Sequence, residues 1–205
     1  MRGFVPKIEI PKEIRDSVIR ELYRQVGSLD WEGISTRERT AYYTSWVEDE
    51  AIGVELADYY TAEGMRVWLK DGPLKEYARA LENFGSYAEY ATKRLSPADE
   101  FVTEVLGDAW KIKPGSIREK PMHCLVTNQK RERYVCWGRP RTFRDLLWAA
   151  VNNAVSAPIK PLIVVYVTDD SVVEEQQKRQ HELIAAHCSI DLAYVRRRLE
   201  ALPQG

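Results

Sequence analysis

The stretch from Pro161 to Thr168 reads PLIVVYVT, and it is the segment that decides the fold. Its eight residues match the length of a β-strand, and its nearly continuous apolar character is typical of a strand buried on both faces of a sheet. A sheet that is buried on both faces must be covered by helices. This segment therefore predicts a sheet that lies between helices.

Shorter strand candidates lie upstream of this segment. Residues 122–127 and 133–137 have strand character and are joined by a polar turn at residues 128–132. Residues 110–113 form a third candidate. A helix is then expected from Thr142, which can cap it, to about Val155.

Two further helices complete the order of elements in this half. Ser96, Pro97 and Gly107 predict a helix that begins with a serine cap and a proline in its first turn and ends at a glycine. Residues after the apolar strand predict a long C-terminal helix that runs toward Leu202. The predicted order is helix, three strands, helix, strand and helix.

The N-terminal half has helical patterns. Ile14, Val18, Leu22 and Val26 recur every fourth residue, which predicts a helix that ends near Gly27. Ser35 followed by Glu38 predicts a capping box at the start of a second helix. Residues 65–69 predict a short strand, and residues 85–95 a further helix. We therefore expect a mixed α/β (α+β) protein, with a helical region (residues 1–95) packed on a small twisted sheet flanked by helices (residues 96–205), in one continuous body.

The composition is that of an ordinary globular protein, with 205 residues, 44% apolar and 30% charged. The longest nearly apolar run, residues 158–168, is interrupted by Lys160 and is far shorter than the ~20 residues of a transmembrane helix. The first residues carry no apolar segment with a small-residue cleavage site, so no secretory signal is expected. Three cysteines are too few for a disulfide framework. These features favour a cytoplasmic protein without membrane contact.

Charge is divided unevenly along the chain, although the net charge is only −1. Residues 45–104 contain 13 acidic and 6 basic residues, whereas residues 111–144, which we name the basic strand pair, contain 10 basic and 2 acidic residues. Clustered lysine and arginine neutralise phosphates, so the basic strand pair predicts contact with a DNA or RNA backbone. The candidate nucleic-acid-binding residues are Lys130, Arg131, Arg133, Arg139, Arg141 and Arg144.

Two aromatic residues lie among these charges. Tyr134 and Trp137 are candidates for stacking on bases. In the alternative interpretation the strands alternate, so that Val126, Val135 and Trp137 point into the core while the charges face solvent or pair with the acidic helices.

The segment from about residue 97 to residue 170 resembles the restriction-endonuclease-like fold, also called the PD-(D/E)xK nuclease fold. Lys120-Pro121-Met122 lies at the place of the family's Pro-Asp, and the strand YVCWGR, residues 134–139, lies at the place of its Glu-x-Lys. The following RPRTFRDLLWAAV, residues 139–151, is similar to the helix that follows that strand. The resemblance implies a core of one helix, three strands, a second helix and a fourth strand.

The resemblance also implies a loss of chemistry. The family's acidic residues hold a divalent metal and its lysine orients the attacking water, whereas those positions here are Met122, Val135 and Trp137. Glu100 and Glu104, one turn apart, match the family's helix acid. The implied protein is a scaffold that handles nucleic acid without hydrolysing it, and by analogy a bacterial accessory or defence component.

Cysteine and histidine residues suggest a zinc site at first. If the turn centres near Lys130, Cys124 and Cys136 lie opposite each other, and His187-Cys188 would complete four ligands. Structural zinc sites usually use CxxC or HxxxH pairs, and the sequence contains neither. We therefore expect buried thiols, with no metal and no cofactor.

Two other pairs of residues each allow two interpretations. Arg179 and His187 resemble the arginine and histidine of HEPN-type ribonucleases at a longer interval, and a solvated helix face explains them equally well. Asp169 and Asp170 follow a buried strand, where they either cap the next helix or act as functional carboxylates.

Three functions are compatible with these features. The preferred one is a nucleic-acid-binding or accessory protein with a catalytically degenerate nuclease-like core, whose helical half contacts a protein partner or a second copy. The first alternative is an interaction or homo-oligomerising protein without nucleic-acid affinity. The second is a divergent nuclease, which uses either a metal at Glu100, Glu104 and Asp169 or the metal-free pair Arg179 and His187.

Overall fold

The computed structural model describes residues 9–31, 33–157, 159–168 and 171–203. The chain forms two compact units. The first contains the chain up to Arg94 together with the residues from Glu200 onward, and the second is Leu95–Leu199. The expectation of one continuous body stays a prediction.

The first unit is helical, as the sequence predicts. Its α-helices are α1 (Lys12–Gly27), α2 (Thr36–Glu48), α3 (Ala62–Asp71) and α4 (Pro73–Leu81). Helix α1 buries Val18, Leu22 and Val26, three of the four positions in the predicted stripe.

The predicted capping box at the start of α2 is confirmed. The Glu38 amide donates to the Ser35 hydroxyl at 3.3 Å, and the Ser35 amide donates to the Glu38 carboxylate at 2.8 Å. Two amides that the helix itself leaves without partners are thereby satisfied.

Two predictions for this unit are wrong. Residues 65–69, predicted as a strand, lie inside α3, because the Thr61 hydroxyl accepts from the Gly64 amide and starts a helix there. Residues 85–95, predicted as a helix, contain a 3₁₀ turn (Ala88–Tyr90) and strand β1 (Lys93–Leu95). Gly85, with a φ of 82°, adopts a left-handed conformation that interrupts a helix.

A short π-helix, Glu50–Val54, follows α2. A Cβ atom added at Gly53 would lie 2.0 Å from the carbonyl oxygen of Val47. Glycine is therefore needed for the chain to pass this close to the end of α2.

The second unit is built around a mixed sheet. Its strands are β2 (Lys111–Ile112), β3 (Arg118–Glu119), β4 (Met122–Thr127), β5 (Glu132–Gly138), β6 (Pro161–Val167) and β7 (Asp191–Arg196). The order across the sheet is β2-β4-β5-β6-β7, and β3 also pairs with β4. Strand β4 is antiparallel to β2, β3 and β5, whereas β5, β6 and β7 are parallel.

Helices connect the parallel strands, as parallel pairing requires. Helix α6 (Phe143–Ser156) joins β5 to β6, and α7 (Glu175–His187) joins β6 to β7. Together with the helical first unit, this arrangement confirms the mixed α/β fold class.

The two faces of the sheet carry different helices. Cys136 and Ile163 point to the face that is covered by α6 and α7, where Leu146 packs against them. Trp137 points to the other face and contacts Phe101 of α5 (Ala98–Leu106), with ring centroids 5.5 Å apart. Strand β6 is buried from its first residue to its sixth, as the PLIVVYVT run predicts.

The prediction of one long C-terminal helix is wrong. Helix α7 ends at His187, Ser189 adopts a φ of 57°, and β7 follows. Strand β7 pairs with β6 over its whole length. Backbone hydrogen bonds to β6 and the burial of Val195 outweigh the local helix propensity of this segment. The final strand β8 (Leu199–Ala201) pairs with β1.

Candidate nucleic-acid interface

The six candidate basic residues lie at opposite ends of β5. The hairpin end, at the turn between β4 and β5, holds Lys130, Arg131 and Arg133. The carboxyl end, between β5 and the first turn of α6, holds Arg139, Arg141 and Arg144. Eight residues of mostly extended chain separate Arg131 from Arg139, which places the two ends roughly 26 Å apart. The six residues therefore form two surfaces and not one.

Asn128 shapes the turn at the hairpin end. Its side-chain oxygen accepts from the backbone amides of Lys130 at 3.2 Å and Arg131 at 2.9 Å, and Gln129 adopts a φ of 72°. An asparagine that binds amides two and three residues ahead folds the chain back tightly. As a result, the side chains of Lys130 and Arg131 are exposed at the tip of the hairpin.

Ion pairs within the second unit hold several other cations at this end. The Asp191 carboxylate pairs with the guanidinium of Arg133 and, at 2.5 Å, with the ammonium of Lys160. The Lys113 ammonium lies 3.0 Å from the Glu132 carboxylate. Lys130 and Arg131 form no ion pair with any residue of the described ranges. The hairpin end thus has an internally paired part and an exposed cationic tip.

Asp191 is the acidic centre of the paired part. Partial burial alone would raise the pKa of Asp191, but hydrogen bonds from Lys160 and Arg133 outweigh burial and lower the pKa below its usual value. The carboxylate is therefore charged at neutral pH and keeps both cations beside it.

A groove of about 460 Å³ opens at the hairpin end. The residues that line it are Trp110, Arg131, Glu132, Arg133, Ile159, Lys160 and Asp191. Trp110 immediately precedes β2, whose Lys111 pairs with Thr127, and Thr127 pairs in turn with Glu132. These pairings place the Trp110 backbone level with the turn, so that an aromatic ring and several cations share one concave surface.

The prediction that Tyr134 and Trp137 stack on bases is wrong. Their exposed fractions are 6% and 1%. Tyr134 points into the core on one face of the sheet, and Trp137 points into the core on the other face. The alternative interpretation correctly placed Val126, Val135 and Trp137 inside. The sequence predicts Trp110 only as a strand residue, because its half-buried position beside the turn depends on the pairing of β2 with β4.

The carboxyl end uses its arginines partly for packing. The guanidinium carbon of Arg139 lies 5.9 Å from the centre of the Tyr166 ring. Arg197, which is 2% exposed, lies between Phe101 and Tyr166 at 5.3 and 4.9 Å and donates to the Ser96 carbonyl. These contacts link α5 to the carboxyl end of the parallel strands.

Apolar side chains occupy the positions where the nuclease resemblance places a metal site. Met122, Val135 and Trp137 are all buried, and Phe101 packs on Trp137. Glu100 is exposed on α5 and accepts a hydrogen bond from Arg198 at 3.0 Å. Within the described residues no group of three or more histidine, cysteine, aspartate or glutamate side chains is placed to hold a metal ion.

Cys124 and Cys136 do not lie opposite each other, as a turn centred near Lys130 would have placed them. Cys124 pairs with Val135, and Cys136 pairs with His123, so the register is shifted by one residue from the symmetric turn. Because neighbouring residues of a strand point to opposite faces, the two thiols lie on opposite faces of the sheet. Burial raises the pKa of each thiol to about 12, as expected for buried thiols.

Arg179 and His187, the residues of the metal-free nuclease alternative, are exposed on α7, and His187 is the last residue of that helix. Asp169 and Asp170 lie outside the described residues. Among the described helices, none is long and apolar enough to cross a membrane.

The chain has no match among protein-family models, curated proteins or solved structures.

Proposed function

We propose that this protein binds nucleic acid through the hairpin end of a nuclease-like core that lacks the family's metal ligands. The backbone phosphates would contact Lys130 and Arg131, with Arg133 and Lys160 behind them in the groove. The function would be binding, as in an accessory protein, and by analogy with nuclease-like proteins a defence component.

One observation carries the proposal: two adjacent exposed cations lie at the tip of the hairpin, and one of them, Arg131, lines a concave surface together with further cations. Internal pairing accounts for Lys113 and Arg133 of the basic strand pair, and for Lys160 beside it. It does not account for Lys130 and Arg131, which form no ion pair with a described residue. Exposed cations held near one another by a tight turn favour the binding of a polyanion.

The scaffold supports binding without hydrolysis. Without the two-residue strand β3, the order α5, β2, β4, β5, α6 and β6 is the one expected for a nuclease-like core, and this agreement supports the proposal. A nuclease of that type needs carboxylates on its central strands to hold a divalent metal. The side chains of Met122 and Val135 carry no carboxylate. The Trp137 ring, which packs on Phe101, fills the position of the family's lysine.

The test measures binding of fluorescein-labelled single-stranded DNA and RNA by fluorescence anisotropy over a range of salt concentrations. The double variant Lys130→Ala/Arg131→Ala should bind more weakly. If both residues contact phosphates of a single strand, the slope of log K against log salt should become shallower by about 1.4.

A charge-matched control is available at the other end of the strand. Arg141→Ala/Arg144→Ala removes the same charge at the carboxyl end and should leave affinity and salt slope almost unchanged. An equal loss of affinity in both double variants would show that overall charge alone attracts the nucleic acid. A loss of affinity in the carboxyl-end variant alone would place the binding site at the carboxyl end. Cleavage of the probes with Mg²⁺ or Mn²⁺ that Glu104→Ala abolishes would favour the divergent nuclease instead.

A further inference from the structure

We infer that the groove at the hairpin end takes up one unstacked base of a single-stranded nucleic acid against Trp110. This inference rests on the proposed function and names its ligand class.

Trp110 is the aromatic residue that lines the groove together with Arg131 and Lys160. It is half-buried, whereas Tyr134 and Trp137, the other aromatic residues of the hairpin region, are buried in the core. Every base has an aromatic face, so stacking on a tryptophan does not depend on sequence.

Charge differs between the interior and the rim of the groove. The interior is the more buried part of the groove, at Arg133 (17% exposed) and Asp191 (39%). There the carboxylate pairs with Arg133 and with the more exposed Lys160, so a carboxylate already occupies the place that a phosphate would take. At the rim, Arg131 and the neighbouring Lys130 are exposed cations. This distribution favours a base in the interior, where Asp191 can accept hydrogen bonds from amino groups, and phosphates at the rim.

The size and shape of the groove favour a single strand. A volume of about 460 Å³ lies within the usual range for small-molecule pockets, roughly 300–1,000 Å³, and is large enough for one nucleotide. Bases in a duplex are paired and stacked and cannot turn into a groove without disrupting the helix. A single strand exposes its bases without that cost.

The experiment compares three probes of equal length: a single-stranded oligonucleotide, the same backbone without bases, and the corresponding duplex. Binding is measured for the unaltered protein and for the variants Trp110→Ala and Trp110→Phe. Trp148→Ala is the matched control, because Trp148 lies on α6 in the same unit and is 68% exposed. Thermal melting of each variant verifies that it is folded.

The unaltered protein should bind the strand with bases about 5- to 150-fold more tightly than the abasic strand, the range that stacking of one base provides. Trp110→Ala should remove this difference without changing the salt slope, since it removes no phosphate contact. Trp110→Phe should retain most of the difference, and Trp148→Ala all of it. The comparison of bases with abasic backbone in the unaltered protein needs no variant to fold.

Several results would overturn the inference. These are equal affinity for the abasic and base-bearing strands, preference for the duplex, an unaffected Trp110→Ala variant, or an equal loss in Trp148→Ala. If Lys130→Ala/Arg131→Ala nevertheless weakens binding in such a case, the phosphate contacts stand and only the base site falls. Absence of binding to all three probes would overturn the proposed function as well.

Discussion

Replacing Asp191 by asparagine should strengthen nucleic-acid binding while it weakens the fold. Asparagine keeps the size of the side chain but removes the carboxylate that now holds Arg133 and Lys160. Both cations then become available to phosphates. For a single strand, two more phosphate contacts steepen the slope of log K against log salt by about 1.4.

The steeper slope has a measurable consequence. Between about 50 and 200 mM salt, the affinity of the Asp191→Asn variant should fall about sevenfold more than that of the unaltered protein. Fluorescence anisotropy with a labelled single strand measures both slopes. Asp145→Asn is the control, because it removes a carboxylate from beside Arg144 at the carboxyl end and should leave the slope unchanged.

The stability of the Asp191→Asn variant at different pH values tests the structural role of Asp191. The pKa of Asp191 is lower in the folded protein than in the unfolded chain. Its ion pairs therefore stabilise the fold at pH values above the unfolded pKa. This stabilisation is lost as the pH falls through the folded pKa. Urea denaturation should show Asp191→Asn to be less stable by on the order of 1 kcal/mol at pH 6–7, a partly exposed pair being worth no more. The difference should shrink below about pH 4.

One combination of results would refute the reasoning. If Asp191→Asn is destabilised as expected but its salt slope and affinity match those of the unaltered protein, Arg133 and Lys160 do not reach the nucleic acid. The ion pairs of Asp191 would then serve only the stability of the fold.

Three further predictions concern the core and the thiols. Trp137→Ala should lower the free energy of unfolding by about 3–5 kcal/mol in urea denaturation, because the ring is 1% exposed and packs on Phe101; a loss below about 1 kcal/mol would contradict its core position. Gly53→Ala should cost about 1–3 kcal/mol in the same assay, since its Cβ would meet the Val47 carbonyl oxygen, and an unchanged midpoint would show that this turn relaxes freely. A thiol reagent at neutral pH should modify Cys188 rapidly and the two buried cysteines only after unfolding; rapid reaction of all three would contradict their burial.

Local sequence patterns were sufficient for much of the fold. The capping box at Ser35, the strand PLIVVYVT and the limits of β4 were predictable because each depends on neighbouring residues. The C-terminal segment was not: residues 191–196 form β7 only because the edge of β6 offers hydrogen bonds, and that edge lies far away in sequence. Local propensity does not contain such information.

The candidate site divides in the same way. The sequence revealed that residues 111–144 are basic, but not that β5 separates the cations into two ends or that Asp191 neutralises part of one of them. A shift of one residue in the pairing of β4 with β5 separates Cys124 from Cys136 and decides which side chains share a face. Trp110 became a candidate only through the pairing of β2 with β4.

The sequence by itself therefore determined the mixed α/β class, the buried central strand and the excess of positive charge around the hairpin, since these depend on composition and local periodicity. Only the tertiary structure decided which cations are paired and which ring lines the groove. Ion pairs and grooves form between residues that are distant in sequence, and their positions depend on strand order and register, which act through space and not along the chain.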